Sequence, residues 1–519
     1  METVARERGA MVMASGDRSC CLSDLLAEWV PIGAVRERRI SSLSLDSRQV
    51  VPGALFFACQ GTQQSGHGYI GAAVNQGAAA IVYDPVIPVS PVIQTQLQVQ
   101  NIPLIPLPDL DSRLGIIANR FYLQPSRQFC VLGVTGTNGK TSVSHFLAQA
   151  LHRQEVPCGL IGTLGRGVVD ALQPSSLTTP DAITVQEQLA AMVASKARYA
   201  VLEVSSHALG QGRVSGVAFN IAIFTNLSRE HLDYHGDMAR YEAAKFRLFN
   251  QPGLRHAVIN GDDAAGRAFL ANLPPEVKAI SYGLMNPQAS LHTGKLRCDR
   301  HGIAMTIQSA WGEGQLTCPL LGRFNAYNLL AALGGLLAVG MPFTEALQRL
   351  SQVRAVVGRM ESLGGEEGEP LLVVDYAHTP DALEQVLRSL RAHLGPGGRL
   401  WCVFGCGGNR DRGKRPLMGA AAERLADFVM LTDDNPRNED PIQIIVDILS
   451  GIDDPDRVYQ FRNRSEAIIR ATQLAEPEDI VLIAGKGHEE YQQIGAEQRP
   501  FSDREQAQQA LRQRQGELR

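Results

Sequence analysis

The chain has 519 residues and a formal net charge of −4, with 49 Lys and Arg against 53 Asp and Glu. This balance, without long runs of like charge, excludes a large basic surface for nucleic acid or an anionic membrane, so we expect small-molecule partners. Nine cysteines without a C-x-x-C pair indicate reduced thiols and no zinc site. The length exceeds what a single core accommodates, and we predict about three domains.

The first part of the chain is predicted to be a leader followed by a small α/β domain. Residues 1–20 lack the apolar core of a signal peptide, so we expect a flexible leader and a cytoplasmic protein. A turn at Pro52-Gly53 separates two candidate strands, and residues 79–83 form another. The proline-rich stretch from Pro85 to Pro108 indicates a last strand and a linker, which places the N-terminal domain at residues 21–110.

The most informative stretch combines a strand, a glycine-rich loop and a helix. Cys130 to Val134 is typical of a buried parallel strand, and apolar residues at helical spacing from Val143 onward indicate a helix. Lys140 can approach the β- and γ-phosphates of a nucleotide, and the Thr141 hydroxyl can ligate Mg²⁺. The ATP-binding candidates here are Gly136, Thr137, Asn138, Gly139, Lys140 and Thr141. Val134 stands where the general phosphate-loop pattern has a glycine, and a Gly-Lys-Thr string also occurs in ordinary loops.

The whole string Thr-Gly-Thr-Asn-Gly-Lys-Thr at 135–141 resembles the Mur ligases, the ATP-dependent amino-acid-adding enzymes of peptidoglycan synthesis, and their folylpolyglutamate synthetase relatives. The resemblance covers three domains and implies an α/β fold that uses ATP and Mg²⁺. A central P-loop ATPase-like parallel sheet is expected at residues 111–352, where strands alternate with helices, and a C-terminal Rossmann-like domain at 353–519.

Two predicted strands of the central domain end in polar groups. Residues 199–203 end in Glu203, and the strand at 221–226 is followed by His231. Because βα loops gather at one edge of a parallel sheet, both can lie beside the phosphate loop and bind a divalent ion. A helix cap for Glu203 and a hydrogen-bonded polar histidine are the alternatives. The resemblance of Glu-Val-Ser-Ser and His-Leu-Asp-Tyr-His to family segments favours metal ligands, together with Thr141.

Lys245 lies in a helical segment, where a lysine is usually a solvated charge. The resemblance implies that this lysine carries CO₂ as a carbamate, an anion that can share a second Mg²⁺. The catalytic candidates are therefore Lys140, Glu203, His231 and Lys245.

The resemblance also implies where the acceptor UDP-MurNAc-L-Ala-D-Glu binds. The expected uridine contacts are Leu45, Ser47, Thr62, Gln63 and Gln64, and the expected sugar and peptide contacts are Thr178, Thr179, Ser205, Gln211 and Arg213. From the residues alone, Asp46-Ser47-Arg48 can be an ordinary turn, and a threonine before Pro180 can be a helix entry. Leu177 stands where some family members have asparagine.

A long apolar helix is predicted from Leu329 to Phe343, which is too short to span a bilayer. The segment Gly322 to Asn328 is expected to open this helix. Either Asn325 or Asn328 can cap it, whereas the resemblance implies that Asn328 contacts the adenine of ATP. It also implies three ATP contacts in the third domain, namely Arg359, Asp375 and His378.

Arg410 and Arg437 follow neighbouring strands, and two guanidinium groups indicate a pocket for a carboxylate, with Glu489 as a partner for an ammonium group. The glycines at 405–408 suggest half a dinucleotide fingerprint, but Arg410 occupies the place of its third glycine, so NAD binding is rejected. The Asp-Asn-Pro-Arg string at 434–437 resembles the motif of ligases that add meso-diaminopimelate, a lysine with an extra carboxylate. The diaminopimelate candidates are Arg410, Asp434, Asn435, Pro436, Arg437, Gly485 and Glu489.

The resemblance implies a monomeric ligase of cytoplasmic peptidoglycan precursor synthesis, which joins meso-diaminopimelate to UDP-MurNAc-L-Ala-D-Glu through an acyl phosphate. Three alternatives stay open. The chain can be a folylpolyglutamate synthetase-like enzyme, or an ATP-binding regulator, which has little need for Glu203, His231 and Lys245 together. Within the family, L-lysine is the alternative amino acid.

Overall fold

The computed structural model describes residues 19–31, 37–60, 65–175, 177–366 and 368–517. The chain divides into two compact units, Met1–Ser281 and Tyr282–Arg519. The predicted leader lies almost wholly outside the described residues, and so does the predicted uridine loop Thr62, Gln63 and Gln64.

The first unit begins with a small α/β layer built on a parallel sheet in the order β3-β4-β5-β6. Its elements are β1 (Cys20–Cys21), α1 (Leu22–Leu25), β2 (Arg39–Ile40), β3 (Ser42–Ser44), β4 (Ala54–Ala58), α2 (Ile70–Asn75), β5 (Ala80–Tyr83), α3 (Pro91–Val99), β6 (Leu104–Pro106) and α4 (Leu110–Phe121). Helix α4 contributes Leu114, Ile117 and Phe121 to the same hydrophobic core as β4 and β5. The predicted turn at Pro52-Gly53 does separate two strands, β3 and β4.

The last strand predicted within Pro85 to Pro108 is confirmed as β6, but the linker interpretation of the rest is wrong, because α3 occupies the middle of this stretch. The Ser90 side chain accepts a hydrogen bond from the Ile93 N–H, and Pro91 takes the first helical position, where its missing N–H costs nothing. Leu97 is the fully buried residue of this helix. One buried residue gives no helical periodicity of apolar residues, so the prolines alone decided the sequence-based prediction.

The rest of the first unit is the predicted parallel sheet with helices. Its elements are β7 (Cys130–Thr135), α5 (Lys140–Leu151), β8 (Cys158–Gly162), β9 (Gly165–Val168), α6 (Ala182–Ala194), β10 (Tyr199–Glu203), α7 (Ser206–Gly210), β11 (Ile221–Phe224), α8 (Leu232–His235), α9 (Met238–Phe246), β12 (His256–Asn260), α10 (Ala264–Ala271) and β13 (Lys278–Gly283). The strand order runs β12-β11-β7-β10-β8-β9, and β9 alone of these runs antiparallel to its neighbour.

The register of this sheet decides what surrounds the phosphate loop. Glu203 at the end of β10 pairs with Val134 of β7, and Phe224 of β11 pairs with Thr135. The three strands therefore end at the same level, and the residues that follow each of them meet at one sheet edge.

The second unit starts with an antiparallel meander, which the expected alternation of strands and helices did not include. Its strands β14 (Leu291–Asp299), β15 (Gly302–Ser309) and β16 (Gly312–Cys318) precede α11 (Arg323–Ala338) and α12 (Phe343–Leu350). Helix α11 begins at Arg323, within the segment Gly322 to Asn328 that was expected to open it, but it ends at Ala338, before the predicted end at Phe343. Both Asn325 and Asn328 lie inside it, and Gly322 is its N-cap, so the capping interpretation of the asparagines is wrong.

A second parallel sheet completes this unit in the order β17-β18-β22-β19-β20-β21, with β17 antiparallel at its edge. Its elements are β17 (Glu361–Gly364), β18 (Leu371–Asp375), α13 (Pro380–Arg391), β19 (Leu400–Phe404), α14 (Lys414–Leu425), β20 (Phe428–Leu431), α15 (Pro441–Leu449), β21 (Tyr459–Gln460), α16 (Arg464–Leu474), β22 (Ile480–Ala484), the hairpin β23 (Tyr491–Ile494) and β24 (Glu497–Pro500), and α17 (Asp503–Glu517). Among the described residues, every helix is too short or too polar to cross a bilayer.

Candidate active site

The loop between β7 and α5 is held by its neighbours on β11. Gly136 has φ of +150°, and a side chain there would overlap Thr225 Oγ1, so the loop requires glycine at this position. Asn226 fixes the next two residues, since its O accepts from Thr137 N (2.8 Å) and its Oδ1 accepts from Asn138 N (3.0 Å). Asn226 was not among the predicted site residues. Its place at the end of a buried strand, before a polar segment, was the signal available in the sequence.

Two lysines meet at the carbonyl oxygen of Gly136. Lys140, the first residue of α5, donates from Nζ to Gly136 O (2.9 Å) and to Thr137 O (2.8 Å). Lys245, from α9, donates from Nζ to the same Gly136 O at 2.7 Å. The two side-chain nitrogens are thus held together where the loop turns.

Lys245 is buried, which excludes the interpretation of an ordinary solvated lysine. Its side chain is 1% exposed, and its Nζ lies 4.5 Å from the centre of the Tyr241 ring. Burial, with the positive charge of Lys140 as the second cause, lowers the pKa of Lys245 to about 6. At neutral pH this side chain is therefore largely an uncharged, nucleophilic amine.

Glu203 is fully buried at the end of β10, beside the first turn of α5. Its Oε2 accepts from Thr141 Oγ1 (2.9 Å), and Thr163 donates to it from N (2.9 Å, to Oε1) and from Oγ1 (3.1 Å, to Oε2). Burial raises the pKa of Glu203, and these hydrogen bonds and Lys140 oppose that shift. The helix-cap alternative is excluded, because Ser205 caps the following helix α7.

His231 lies in a cluster of aromatic rings at the N-terminus of α8. It has φ of +57°, its ring centre lies 4.8 Å from that of His207 and 6.1 Å from that of Tyr241, and its side chain is 42% exposed. The Tyr241 hydroxyl is 3.1 Å from Thr137 Oγ1, so this ring connects the histidine to the phosphate loop. In the described ranges, no group of three or more His, Cys, Asp and Glu is arranged to hold a metal by itself.

The predicted sugar and peptide contacts form one network around the end of β10. Thr179 Oγ1 donates to Glu203 O (2.8 Å) and accepts from Ser205 N (3.2 Å), while Arg213 Nη1 donates to Thr179 O (2.9 Å). The Gln211 side chain accepts from Arg213 Nε (2.9 Å). Thr178 joins the network through Thr163, whose Oγ1 lies 3.1 Å from Thr178 Oγ1. These side chains are therefore brought together with Glu203.

A cavity of about 1090 Å³ lies within the first unit, between β3 and helix α6. Leu45 lines it on one side, and Asp181, the N-cap of α6, lines it on the other. Ser47 is buried in a 3-10 turn after β3, which the Asp46 side chain caps. The turn interpretation of this segment is thus correct in conformation, and Leu45 still faces the cavity.

In the second unit, one candidate ATP contact lies in helix α11 and the other three lie around the end of β18. Asn328 is buried in α11, and its Nδ2 donates to Asn325 Oδ1 (2.9 Å). Asp375 ends β18 and accepts from Met360 N (2.8 Å), and the Arg359 guanidinium lies 4.9 Å from the centre of the Tyr376 ring. His378 Nδ1 lies 2.8 Å from Tyr376 O.

The residues predicted for the amino acid gather at the ends of β19, β20 and β22. A Cβ on Gly407 would stand 2.8 Å from Arg437 Nη1 and 3.6 Å from Arg410 Cγ, so the two arginines flank the same glycine. A Cβ on Gly485 would stand 2.7 Å from Asp434 Oδ2, which brings the third strand end to the same place. Pro436 lies between these groups, in the loop that carries Arg437.

Glu489 is not an isolated carboxylate. Its Oε2 accepts from Lys486 Nζ (3.1 Å) and from Asn435 Nδ2 (2.8 Å). Lys486 was not among the predicted residues. A lysine between two glycines directly after a buried strand was the signal available for it.

The models of three Mur ligase domains match the chain: the Mur ligase family catalytic domain at residues 39–122, the middle domain at 134–336 and the glutamate ligase domain at 358–487.

The UDP-N-acetylmuramoyl-L-alanyl-D-glutamate–2,6-diaminopimelate ligase of Alkalilimnicola ehrlichii is 48% identical over 499 residues, which cover 95% of this chain and 99% of that protein. The ligase of the same name from Ectopseudomonas mendocina is 50% identical over 472 residues, covering 91% and 95%. A solved structure of a UDP-N-acetylmuramoyl-L-alanyl-D-glutamate–2,6-diaminopimelate ligase superposes with a TM-score of 0.74 at 37% identity, covering 96% of this chain and 99% of that one.

Proposed function

The chain belongs to the Mur ligase family, and on that premise we propose that it is the ATP-dependent ligase that adds meso-diaminopimelate to UDP-N-acetylmuramoyl-L-alanyl-D-glutamate. The observation that carries the proposal is the meeting of Lys140 and Lys245 at Gly136 O, with Glu203 hydrogen-bonded to Thr141 beside them. An anion-binding loop alone fits any nucleotide-binding protein. The added carboxylate and neutral amine fit a site where ATP phosphorylates a second substrate.

ATP is proposed to bind at the loop 136–141 and the N-terminus of α5. Lys140 Nζ then leaves the carbonyl oxygens of Gly136 and Thr137 and binds the β- and γ-phosphate oxygens. The phosphate oxygens attract the ammonium group more strongly, because they carry a full negative charge and the carbonyl oxygens only a partial one. Asn328, Arg359, Asp375 and His378 are proposed as the remaining ATP contacts, which lie in the second unit.

The oxygen-rich donors near the loop fit Mg²⁺, because a threonine hydroxyl and a carboxylate are hard ligands and the phosphates of ATP supply more oxygen. Thr141 and Glu203 would hold one ion, and His231 and a carbamate on Lys245 would hold a second. Bound Mg²⁺ supplies neutralisation of phosphate charge. Because burial raises the pKa of Glu203, a nearby cation would also favour its ionised form.

The state of Lys245 supports the proposed carbamate. Only an uncharged amine attacks CO₂, forming an N–C bond and releasing one proton, and a pKa of about 6 leaves Lys245 uncharged at neutral pH. A carbamate then replaces the buried amine with a charge that the neighbouring Lys140 can balance.

The acceptor is proposed to bind with its uridine end at Leu45, Ser47 and Thr62 to Gln64, and its peptide at Thr178, Thr179, Ser205, Gln211 and Arg213. The cavity beside Leu45 supports the first part, and the network joining Thr179 to Glu203 supports the second. The D-glutamyl side-chain carboxylate attacks the γ-phosphorus, which yields an acyl phosphate and ADP. The amine of diaminopimelate then attacks the acyl carbon, an amide forms and phosphate leaves.

Diaminopimelate is proposed to bind at Arg410, Asp434, Asn435, Pro436, Arg437, Gly485 and Glu489. Two arginines beside Gly407 support this, since a guanidinium group can bind the extra carboxylate that lysine lacks. We further propose a monomer with domain boundaries near residues 110 and 352. Nine cysteines that form no disulfide among the described residues, and the use of ATP, favour the cytoplasm.

The test is phosphate release from ATP with the purified protein and UDP-MurNAc-L-Ala-D-Glu, offering meso-diaminopimelate or L-lysine in parallel. We expect release that needs the acceptor and prefers diaminopimelate, and loss of the preference in Arg437→Ala. Release with a pterin substrate instead would favour a folylpolyglutamate synthetase. Absence of acceptor-dependent release would favour an ATP-binding regulator.

A further inference from the structure

Lys486 is a buried cation beneath the proposed amino-acid site. It follows β22 directly and its side chain is fully buried, with Nζ donating to Asn435 Oδ1 (3.1 Å) and to Glu489 Oε2 (3.1 Å). Because an isolated buried ammonium is costly, these two partners and Lys486 stabilise one another as a unit.

The buried polar atoms around Lys486 are hydrogen-bonded to one another. Asn435 Nδ2 donates to Glu489 Oε2 (2.8 Å), and Asn435 Oδ1 also accepts from Gln493 N (2.8 Å). Glu489 thus has one oxygen committed to Asn435 and Lys486. Across the described part of the chain, its other oxygen, Oε1, has no hydrogen-bond partner, and the side chain is 20% exposed. One face of the carboxylate is therefore left for an ammonium group.

The hairpin β23–β24 holds the arginine side of the site. Arg437 N donates to Gln493 O (3.0 Å), and Gly495 N donates to Arg437 O (2.7 Å). Gln492 Nε2 donates to Asp434 O (2.7 Å). Arg437 has φ of +50°, a conformation that a non-glycine residue keeps only when its neighbours impose it. The loop 434–437 is thus held by the hairpin on one side and by Lys486 on the other.

We propose that Lys486 is a positioning residue that also sets the selectivity of this site for net-neutral diaminopimelate over cationic L-lysine. This inference rests on the proposed function. Lys486 orients Asn435 and Glu489, and its charge cancels that of Glu489. The site then retains the positive charge of Arg410 and Arg437, which favours a ligand with a second carboxylate and disfavours one with a net positive charge.

The test compares kcat/KM for meso-diaminopimelate, L-lysine and the neutral analogue L-norleucine. In Lys486→Met we expect the ratio of diaminopimelate to lysine to fall about tenfold, because a positive charge that repels lysine is gone. Norleucine should gain much less than lysine. In Glu489→Gln the same ratio should rise, because no carboxylate then compensates the charge of Lys486. If Lys486→Met does not fold, Glu489→Gln tests the inference in its place.

Asp479→Asn is the matched control. Asp479 lies directly before β22, at the end opposite Lys486, and accepts from Arg399 N and Trp401 Nε1, so its change should lower the melting temperature without changing the ratio. An unchanged ratio in both Lys486→Met and Glu489→Gln would overturn the inference, and so would an equal gain for norleucine and lysine. A wild-type protein without diaminopimelate-dependent release would instead refute the proposed function.

Discussion

Lys140 and Lys245 donate hydrogen bonds to the same carbonyl oxygen, that of Gly136, from two different helices. Burial of Lys245, followed by the positive charge of Lys140 beside it, lowers the pKa of Lys245 to about 6. The charge of Lys140 at the phosphate loop thus adds to the effect of burial on a residue that lies more than a hundred positions further along the chain.

The first prediction concerns CO₂. We expect wild-type protein in ¹³C-bicarbonate to show a carbamate carbon signal by NMR, and Lys245→Met to lose that signal and about a hundredfold in phosphate release. Exposed Lys278 offers the matched control, since Lys278→Met should keep both. Activity should fall below a pH of about 6, where Lys245 becomes an ammonium that cannot attack CO₂. A signal that persists in Lys245→Met would contradict the assignment.

The second prediction concerns stability in CO₂-free buffer. The pKa of Lys245 is 10.5 unfolded and about 6 folded, so between these values the unfolded chain binds more protons and stability rises with pH. The destabilisation by the buried Lys245 charge is complete below a pH of about 6 and absent above a pH of 10.5. Relative to wild type, Lys245→Met should therefore gain stability as the pH falls from 9.5 to 6.5, by several kcal/mol in total. Melting curves at both pH values measure this, and a gap that grows with pH would refute it.

The third prediction concerns Glu203. Glu203→Gln keeps the shape of the side chain but not its charge, so we expect phosphate release to fall about a thousandfold. The melting temperature should not decrease, because burial raises the pKa of this carboxyl and removal of its charge relieves that cost. Glu242→Gln on α9 serves as the control. Retained activity in Glu203→Gln would exclude a role for its charge.

The fourth prediction concerns Asn226. Asn226→Ala removes the acceptor for Asn138 N, so the loop should become mobile and the KM for ATP should rise about tenfold, with less change in the KM for the acceptor. Asn272→Ala is a suitable comparison, because that asparagine is exposed and its Nδ2 donates to Ala268 O in its own helix. The measurement is the KM for ATP of the wild type, Asn226→Ala and Asn272→Ala. An unchanged KM in Asn226→Ala would show that backbone hydrogen bonds alone hold the loop.

Local patterns were sufficient for much of the architecture. β7, the phosphate loop and α5 lie next to one another in sequence, so their anion-binding geometry is encoded within about twenty residues. The α/β class and the ligase family follow from such segments, and the comparisons confirm both. The end of helix α11 was harder to predict, because the helix is buried on nearly all its faces and the apolar run continues past Ala338 to Phe343.

The sequence by itself determined which chemical groups the protein carries and in which short motifs they stand. Only the tertiary structure decided their states, because burial and charge pairing depend on residues far apart in the chain. In the sequence, Lys245 looks like any lysine in a helix. It becomes a neutral amine only in the folded protein, where Gly136, Tyr241 and Lys140 surround it. Lys486 gains a partner in Glu489, three residues away, and another in Asn435, which lies on a different strand end. Desolvation and Coulomb energy act through space, and the sequence records only order along the chain.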